Sequence, residues 1–369
     1  MNFLQLDGVF ETINPAMSYG YSNSRVRALK GLLLTKPQLL ELLKVNSLNS
    51  VIELLQKSGY GPDLVSSAAL STGLSLFESA LSKNFSRNIS KLIKITPKKD
   101  FAVISALLVK FDLTNLKTLM HARKSRKSFS QVRSYLFPVG GISEVEFQRI
   151  LSCDERSLAS EVFRTKFGKF ISLQSKVDSS VSSGVSLFKS SLRSSDAFLQ
   201  NEPLIDGFIY TLIDSALESS TSKGMELIRS LLVWEIDIKN SLIVLRMRSK
   251  GLDFSAIKKV LIPSGSVSES FAFRLFEAKE HQTVISVLKT KFSDLSISNY
   301  IELSELEIAL EKNLNVQKSK AFHRSILSAA VIAGFVFLKE TEVSNLRKIA
   351  VSKEFGLENE KVEKMIVVV

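Results

Sequence analysis

Residues 112–123 read DLTNLKTLMHAR, and residues 237–248 read DIKNSLIVLRMR. Sliding the chain by the 125 positions between them aligns 112–167 with 237–292 without a gap, and sixteen of the 56 pairs are identical. Asp112 falls on Asp237, Asn115 on Asn240, Arg123 on Arg248 and Phe129 on Phe254. Further along, Pro138 falls on Pro263, Gly140 on Gly265, Glu144 on Glu269, and Thr165-Lys166-Phe167 on Thr290-Lys291-Phe292. A fainter third copy keeps the same spacing in Glu342, Asn345 and Lys353. An acid-x-Ala-Leu element precedes each copy, at Glu78–Leu81, Asp214–Leu217 and Glu307–Leu310.

The spacing within each copy is helical. Asp112, Asn115, Leu119 and Arg123 follow one another at +3, +4 and +4, which puts them on one helix face. Asp237, Asn240, Val244 and Arg248 do the same, as do Glu342, Asn345, Ile349 and Lys353. Acid near the helix start and base near its end also suits the helix dipole. Two roles fit such a stripe: a polar surface where the repeats meet and a partner docks, or internal hydrogen bonds and ion pairs that orient each repeat.

Composition agrees with an all-α chain. Gly (16) and Pro (7) make up 23 of 369 residues, few for a many-stranded fold with its tight turns. Breaks fall at Pro37, Gly59–Pro62, Pro97, Pro138–Gly141, Pro203 and Pro263–Gly265, with helix-length segments between them. The Ser-rich stretch 172–195 reads as one amphipathic helix, because Leu173, Val177, Val181, Val185, Phe188 and Leu192 form an apolar stripe. A repeat of about 105–125 residues exceeds the length of common solenoid units. Three helical domains about a pseudo-three-fold axis, 1–128, 129–253 and 254–369, are the economical reading.

The apolar stretch Ser325–Leu338 is too short to span a bilayer as a helix and reads as a buried one. Met1–Phe10 carries Asp7 and no basic residue, so no signal peptide is expected. The single cysteine, Cys153, excludes an internal disulfide, and His121, His281 and His323 are scattered. A reducing, cytoplasmic setting is expected.

The formal net charge is +12, unevenly spread. Lys83, Arg87, Lys91, Lys94 and Lys98 form a basic stripe at helical spacing with no acid from 83 to 99. Lys117, Arg123, Lys124, Arg126, Lys127 and Arg133 form a second basic cluster. Such runs attract anionic protein surfaces, lipid head groups or phosphates, or are simply solvated. The usual nucleic-acid modules are absent. So are the Walker loop, the strand-linked Gly-x-Gly-x-x-Gly, His-Glu-x-x-His and Gly-x-Ser-x-Gly. Glu235 and Asp237, two apart on a helix, point to different faces. No catalysis, cofactor or metal is expected.

With these residues in view, the sequence resembles the C-type stalk component of the archaeal-type (A-type/V-type) rotary ATPase, equivalent to the d-type component of the vacuolar enzyme. One segment is Tyr21–Leu34, with Arg25, Arg27, Ala28 and Leu29 in an Arg-x-Arg-Ala-Leu pattern. A second is Asp112–Arg123 with its counterpart Trp234–Gly251, and the third is Glu342–Leu357, with Asn345-Leu346-Arg347 and Gly356. The resemblance implies an all-helical funnel of three similar domains with a central cavity, peripheral on the cytoplasmic membrane face. It implies a non-catalytic central-stalk socket that couples the rotating shaft to the proteolipid ring, for ion (hydrogen ion) transport with ATP synthesis or hydrolysis. Shaft subunits and ring are then the partners, with no nucleic acid or small-molecule ligand. Candidate interface residues are Arg25, Arg27, Asp112, Asn115, Arg123, Asp237, Asn240, Arg248, Glu342, Asn345 and Arg347. The alternative is a basic helical adaptor for nucleic acid or an anionic membrane surface. Two departures stand out: the third copy has Glu342 for Asp and ends before any Pro-x-Gly, and Leu217 to Asp237 is shorter than in the other copies.

Overall fold

Twenty α-helices and two 3-10 turns, with no strand, account for the regular structure of the described residues, 15–300, 302–324 and 326–367 of a computed structural model. The readings of Met1–Phe10 and of Ser325 fall outside them. Helices α1 (Pro15–Lys30), α2 (Lys36–Lys44), α3 (Leu48–Gln56) and α4 (Gly61–Ala68) lead into the long α5 (Gly73–Ile95) and α6 (Phe101–Lys124). The short α7 (Phe129–Val132) is followed by α8 (Glu144–Ser152), α9 (Glu155–Arg164), α10 (Lys166–Val177), α11 (Ser179–Ser191) and α12 (Ser195–Gln200). Then come α13 (Glu202–Glu218), α14 (Met225–Ser249), α15 (Phe254–Lys258), α16 (Glu269–Glu277) and α17 (His281–Lys291). The last three are α18 (Leu303–Arg324), α19 (Ala329–Phe355) and α20 (Asn359–Met365).

Local chemistry sets these boundaries. Ser47, Asp154, Thr165, Ser194, Asp253 and Ser268 each cap a helix by accepting a backbone N–H three residues on, satisfying a donor that the first turn leaves open. Pro37, Pro62 and Pro203 occupy first turns, where a missing N–H costs nothing. Gly356, at φ 69°, ends α19 in the left-handed conformation that disfavours side chains.

Three sequence readings are corrected at this level and a fourth is sharpened. The stretch 172–195 is not one helix: α10 and α11 are separated at the extended Asp178 (φ −128°, ψ 112°), and Leu173 is exposed while Val181, Phe188 and Leu192 are buried. Asp112 does not lie near a helix start, because α6 begins at Phe101, so only Arg123 sits in a terminal turn where the dipole acts. The basic stripe loses its helical register at Lys98, since α5 stops at Ile95 ahead of Pro97 and Lys98 opens a 3-10 turn. The apolar stretch holds the expected buried helix, which starts only at Ala329 and is buried on every side through Lys339.

Packing follows a repeated rule. Helix α13 lies on α6, α18 on α14, and α5 on α19. Likewise α8 lies on α6, α16 on α14, and α2 on α19. The buried apolar side chains form two clusters, and α14 contributes to both, with Ile236 in one and Ile238 in the other. Burying such side chains is worth about 1.5–3 kcal/mol each before conformational entropy is counted.

Candidate functional site

The polar stripes of the three long helices act as clasps. The Asp112 carboxylate accepts the backbone N–H groups of Gly141 (2.6 Å) and Ile142 (3.0 Å), and Asp237 accepts those of Ser266 (2.7 Å) and Val267 (3.0 Å). Asn115 donates to the Phe137 carbonyl (2.7 Å) and accepts its N–H (2.8 Å), while Asn240 does both with Ile262 (2.9 and 2.8 Å). Arg123 Nη1 donates to the carbonyls of Ile150, Leu151 and Cys153, and Arg248 Nη1 to those of Leu275, Phe276 and Ala278. The intervals, 27, 28 and 30 residues, are the same in both copies. A Cβ on Gly140 or Gly265 would collide with the neighbouring Asp carboxylate, which accounts for glycine at both places.

The third clasp uses both ends of the chain. Asn345 donates to the Val367 carbonyl at 2.6 Å, again 22 residues on. The contacts that the segment after the helix makes in the other two copies are made here with the N-terminal part. Glu342 accepts the Leu34 N–H at 2.5 Å, and Lys353 donates to the Leu43 carbonyl at 2.6 Å. Helix α2 therefore meets α19 as α8 meets α6, and α2, α8 and α16 are each nine residues long. Thr35, Ser143 and Ser268 cap them in turn. Glu342 also accepts Tyr60 Oη (2.6 Å) and Lys339 Nζ (2.5 Å), all of it buried.

These contacts place the candidate residues. Asp112, Asn115, Asp237, Asn240, Glu342 and Asn345 are buried and spend their hydrogen bonds inside the protein. Arg25 is exposed, and Arg27 is exposed with its guanidinium 5.5 Å from the Phe322 ring. In the basic stripe, Lys83 bonds the Ser66 carbonyl and Arg87 pairs with Asp63 (2.6 Å), whereas Lys91, Lys94 and Lys98 are exposed. Burial raises the Asp112 carboxyl to about 7 against the pull of its two N–H donors. Asp237 differs in having Lys291 beside it, at 3.0 Å.

On the opposite side of the same helices lies a pit of about 340 Å³. It is walled by Lys110 and Lys117 of α6, Asp206 and Tyr210 of α13, Glu235 and Lys239 of α14, and Glu340, Ser344 and Arg347 of α19. A neighbouring recess of about 280 Å³ shares Glu235, Lys239, Glu340 and Ser344 and adds Glu311 and Lys318 of α18. Lys110, Glu235 and Glu340 each stand two residues before a clasp acid, one per long helix. They converge: Lys110 Nζ meets Glu340 at 2.6 Å, and Glu235 feels the Lys110 charge while accepting Tyr210 Oη at 2.6 Å.

Most of the pit's charges are paired. Lys117 holds Asp206 (2.7 Å) and Glu202 (2.8 Å), Lys318 lies 3.7 Å from Glu235, and Arg347 bonds Glu78 (2.8 Å) over the Phe137 ring. Burial pushes the Glu235 carboxyl up, but the Lys110, Lys318 and Lys239 charges overcome it and hold the group well below the usual carboxylate range. Burial and the Glu235 charge drive the Tyr210 hydroxyl far above its ordinary value. The wall is thus a lattice of ion pairs, with each of Asp206, Glu235 and Glu340 facing a cation. Among the described residues no group of His, Cys, Asp and Glu is placed to hold a metal ion, and no helix is long and apolar enough to cross a membrane.

Residues 22–365 match the model of a family described as ATP synthase (C/AC39) subunit. The chain belongs to that family. It is similar to the A-type ATP synthase C protein of Methanosarcina barkeri, 25% identical over 362 residues covering 96% of this chain and 94% of the relative. The equivalent A-type ATP synthase protein of Pyrococcus furiosus is 24% identical over 342 residues (90% and 85%), and that of Haloquadratum walsbyi 24% over 354 residues (93% and 96%).

In this C/AC39 family member, sequence reasoning did not single out the pit residues Lys110, Glu340, Lys239 and Tyr210, and it noted Glu235 only as a neighbour of Asp237. A signal was present: the position two before each clasp acid is charged in all three copies. Glu235 and Asp237 do face opposite ways, one into the pit and one toward the Ser266 loop.

Proposed function

We propose that the protein is the non-catalytic central-stalk component of an A/V-type ATP synthase or ATPase, a socket between the rotating shaft and the membrane proteolipid ring. In this reading three similar units, 1–128, 129–253 and 254–369, stand about a pseudo-three-fold axis as a funnel, on the cytoplasmic face and peripheral to the membrane. The pit receives the shaft tip and the far end rests on the ring, so rotation couples ATP turnover to ion movement. The observation that carries it is the convergence of Lys110, Glu235 and Glu340, equivalent positions on three helices, at one pit. Their mutual pairing leaves no carboxylate of the pit free as a base, which favours binding over catalysis. Of the candidate interface residues, Arg347 belongs to the pit and Arg25 to an outer surface; the buried acids and amides keep the socket rigid.

The test is native electrophoresis of gently solubilised membranes from cells expressing the tagged protein, with mass spectrometry of the tagged band. The expected result is co-migration with ATPase head and proteolipid subunits. Thr114→Trp, at an exposed pit position, is expected to release the shaft from that band without lowering the protein's melting temperature. A tagged band that runs alone, or with nucleic acid, overturns the socket reading.

A further inference from the structure

Most of the pit's cations are paired with carboxylates, but those of a second concavity are not. A groove of about 500 Å³ runs between α1 and the end of α5. Arg25, Leu29 and Leu32 form one wall, and Lys91, Lys94 and Ile95 the other. Leu32 is 70% exposed, a large apolar side chain left in water on the groove wall. Arg25, Lys91 and Lys94 are exposed too, and none has a carboxylate partner among the described residues. Helix α1 contains no acid, and α5 contains only Glu78, which is buried and bound to Arg347. The next acid along the chain, Asp100, is buried and accepts Tyr19 Oη at 3.0 Å.

We propose that this groove docks an acidic amphipathic helix of a partner protein. The apolar floor and cationic rim match a helix that presents leucine-like anchors inward and carboxylates along its edges. Arg25 and Leu29 stand one turn apart on α1, about 6 Å of helical rise, and Leu32 extends the wall from the turn beyond Lys30. A bilayer is too flat to enter a cleft between two helices, and a phosphate backbone gains nothing from Leu29, Leu32 and Ile95. The charge pattern supplies direction as well: unpaired cations on both walls steer an anionic partner along the groove rather than across it. The inference stands apart from the pit and does not depend on the socket reading.

The test uses the full-length protein and two fluorescent synthetic peptides, with leucines at i, i+3, i+4 and i+7 and either Glu or Lys at the remaining positions. Phosphatidylglycerol-containing vesicles are run in parallel. Anisotropy is expected to show saturable binding of the Glu peptide and not of the Lys peptide. Lys91→Glu with Lys94→Glu is expected to weaken it about tenfold or more, as is Leu32→Asp, with unchanged melting curves. Equal binding of both peptides, or vesicle binding that the same variants abolish while peptide binding is untouched, overturns the proposal. So does Glu-peptide binding that emerges only after residues 1–14 are deleted, which would make this chain's own segment the occupant.

Discussion

Asn345 and Val367 exchange two hydrogen bonds, Nδ2 to carbonyl at 2.6 Å and backbone N–H to Oδ1 at 2.9 Å, over the same 22-residue interval that separates Asn115 from Phe137 and Asn240 from Ile262. A side-chain amide of this kind imitates a neighbouring peptide group, and it satisfies a buried N–H and C=O that no helix covers. The chain segment after each long helix is tied down at that point.

Asn115→Ala is therefore expected to lower stability by about 2–4 kcal/mol, because it strands both backbone groups of Phe137. Asn115→Asp keeps the acceptor and loses the donor. Equilibrium unfolding in urea measures both, and a loss under about 0.5 kcal/mol for the alanine variant would show that water replaces the clasp.

Gly140→Ala is expected to destabilise the protein clearly, since its Cβ would meet the Asp112 carboxylate. Gly59→Ala is the control: nothing lies within 4 Å of a Cβ there, so the change is expected to be neutral or to stabilise by about 0.4–1 kcal/mol. Equal melting shifts for the two would contradict the close approach.

Asp112 gives the stability a pH dependence of defined sign. Its folded-state carboxyl titrates at about 7, above the ordinary aspartate value of 3.8, so folding binds a proton between those limits. The stabilisation is complete below the lower value and is lost as pH rises through about 7. Melting temperature is expected to fall between pH 5.5 and 8, and Asp112→Asn to flatten that slope. A slope unchanged in the variant would assign the dependence to another group.

Lys339 is buried against Glu342 and the Tyr60 ring, and burial lowers its ammonium pKa despite the Glu342 charge. Lys339→Met leaves the Glu342 carboxylate uncompensated, at an expected cost of about 3–5 kcal/mol. Because Glu342 also anchors Leu34, limited proteolysis is expected to cut faster around residues 31–35 in the variant. Protection equal to that of the unaltered protein would separate the ion pair from the anchoring of α2.

Much of the clasp geometry was legible beforehand because it rests on spacing. Positions at +3, +4 and +4 share a helix face in any surroundings, so grouping Asp112 with Asn115 and Arg123 needed no tertiary knowledge. The choice between clasp and docking surface was not legible, since it depends on which face another segment covers. Leu173 illustrates the same limit: its stripe is apolar in sequence, yet α10 buries Phe167 and Ile171 instead and leaves Leu173 exposed.

By itself the sequence determined the helical class, the recurrence of the acid–amide–base stripe and the residues within it, because helix periodicity is a property of neighbouring positions. Only the tertiary structure decided that α2, near the chain's beginning, serves α19 as α8 serves α6. Leu34 and Glu342 are 308 positions apart, and no local pattern couples residues so remote. It also decided that Lys110, Glu235 and Glu340 share a pit, because three helix faces become one surface only when packing brings the helices together.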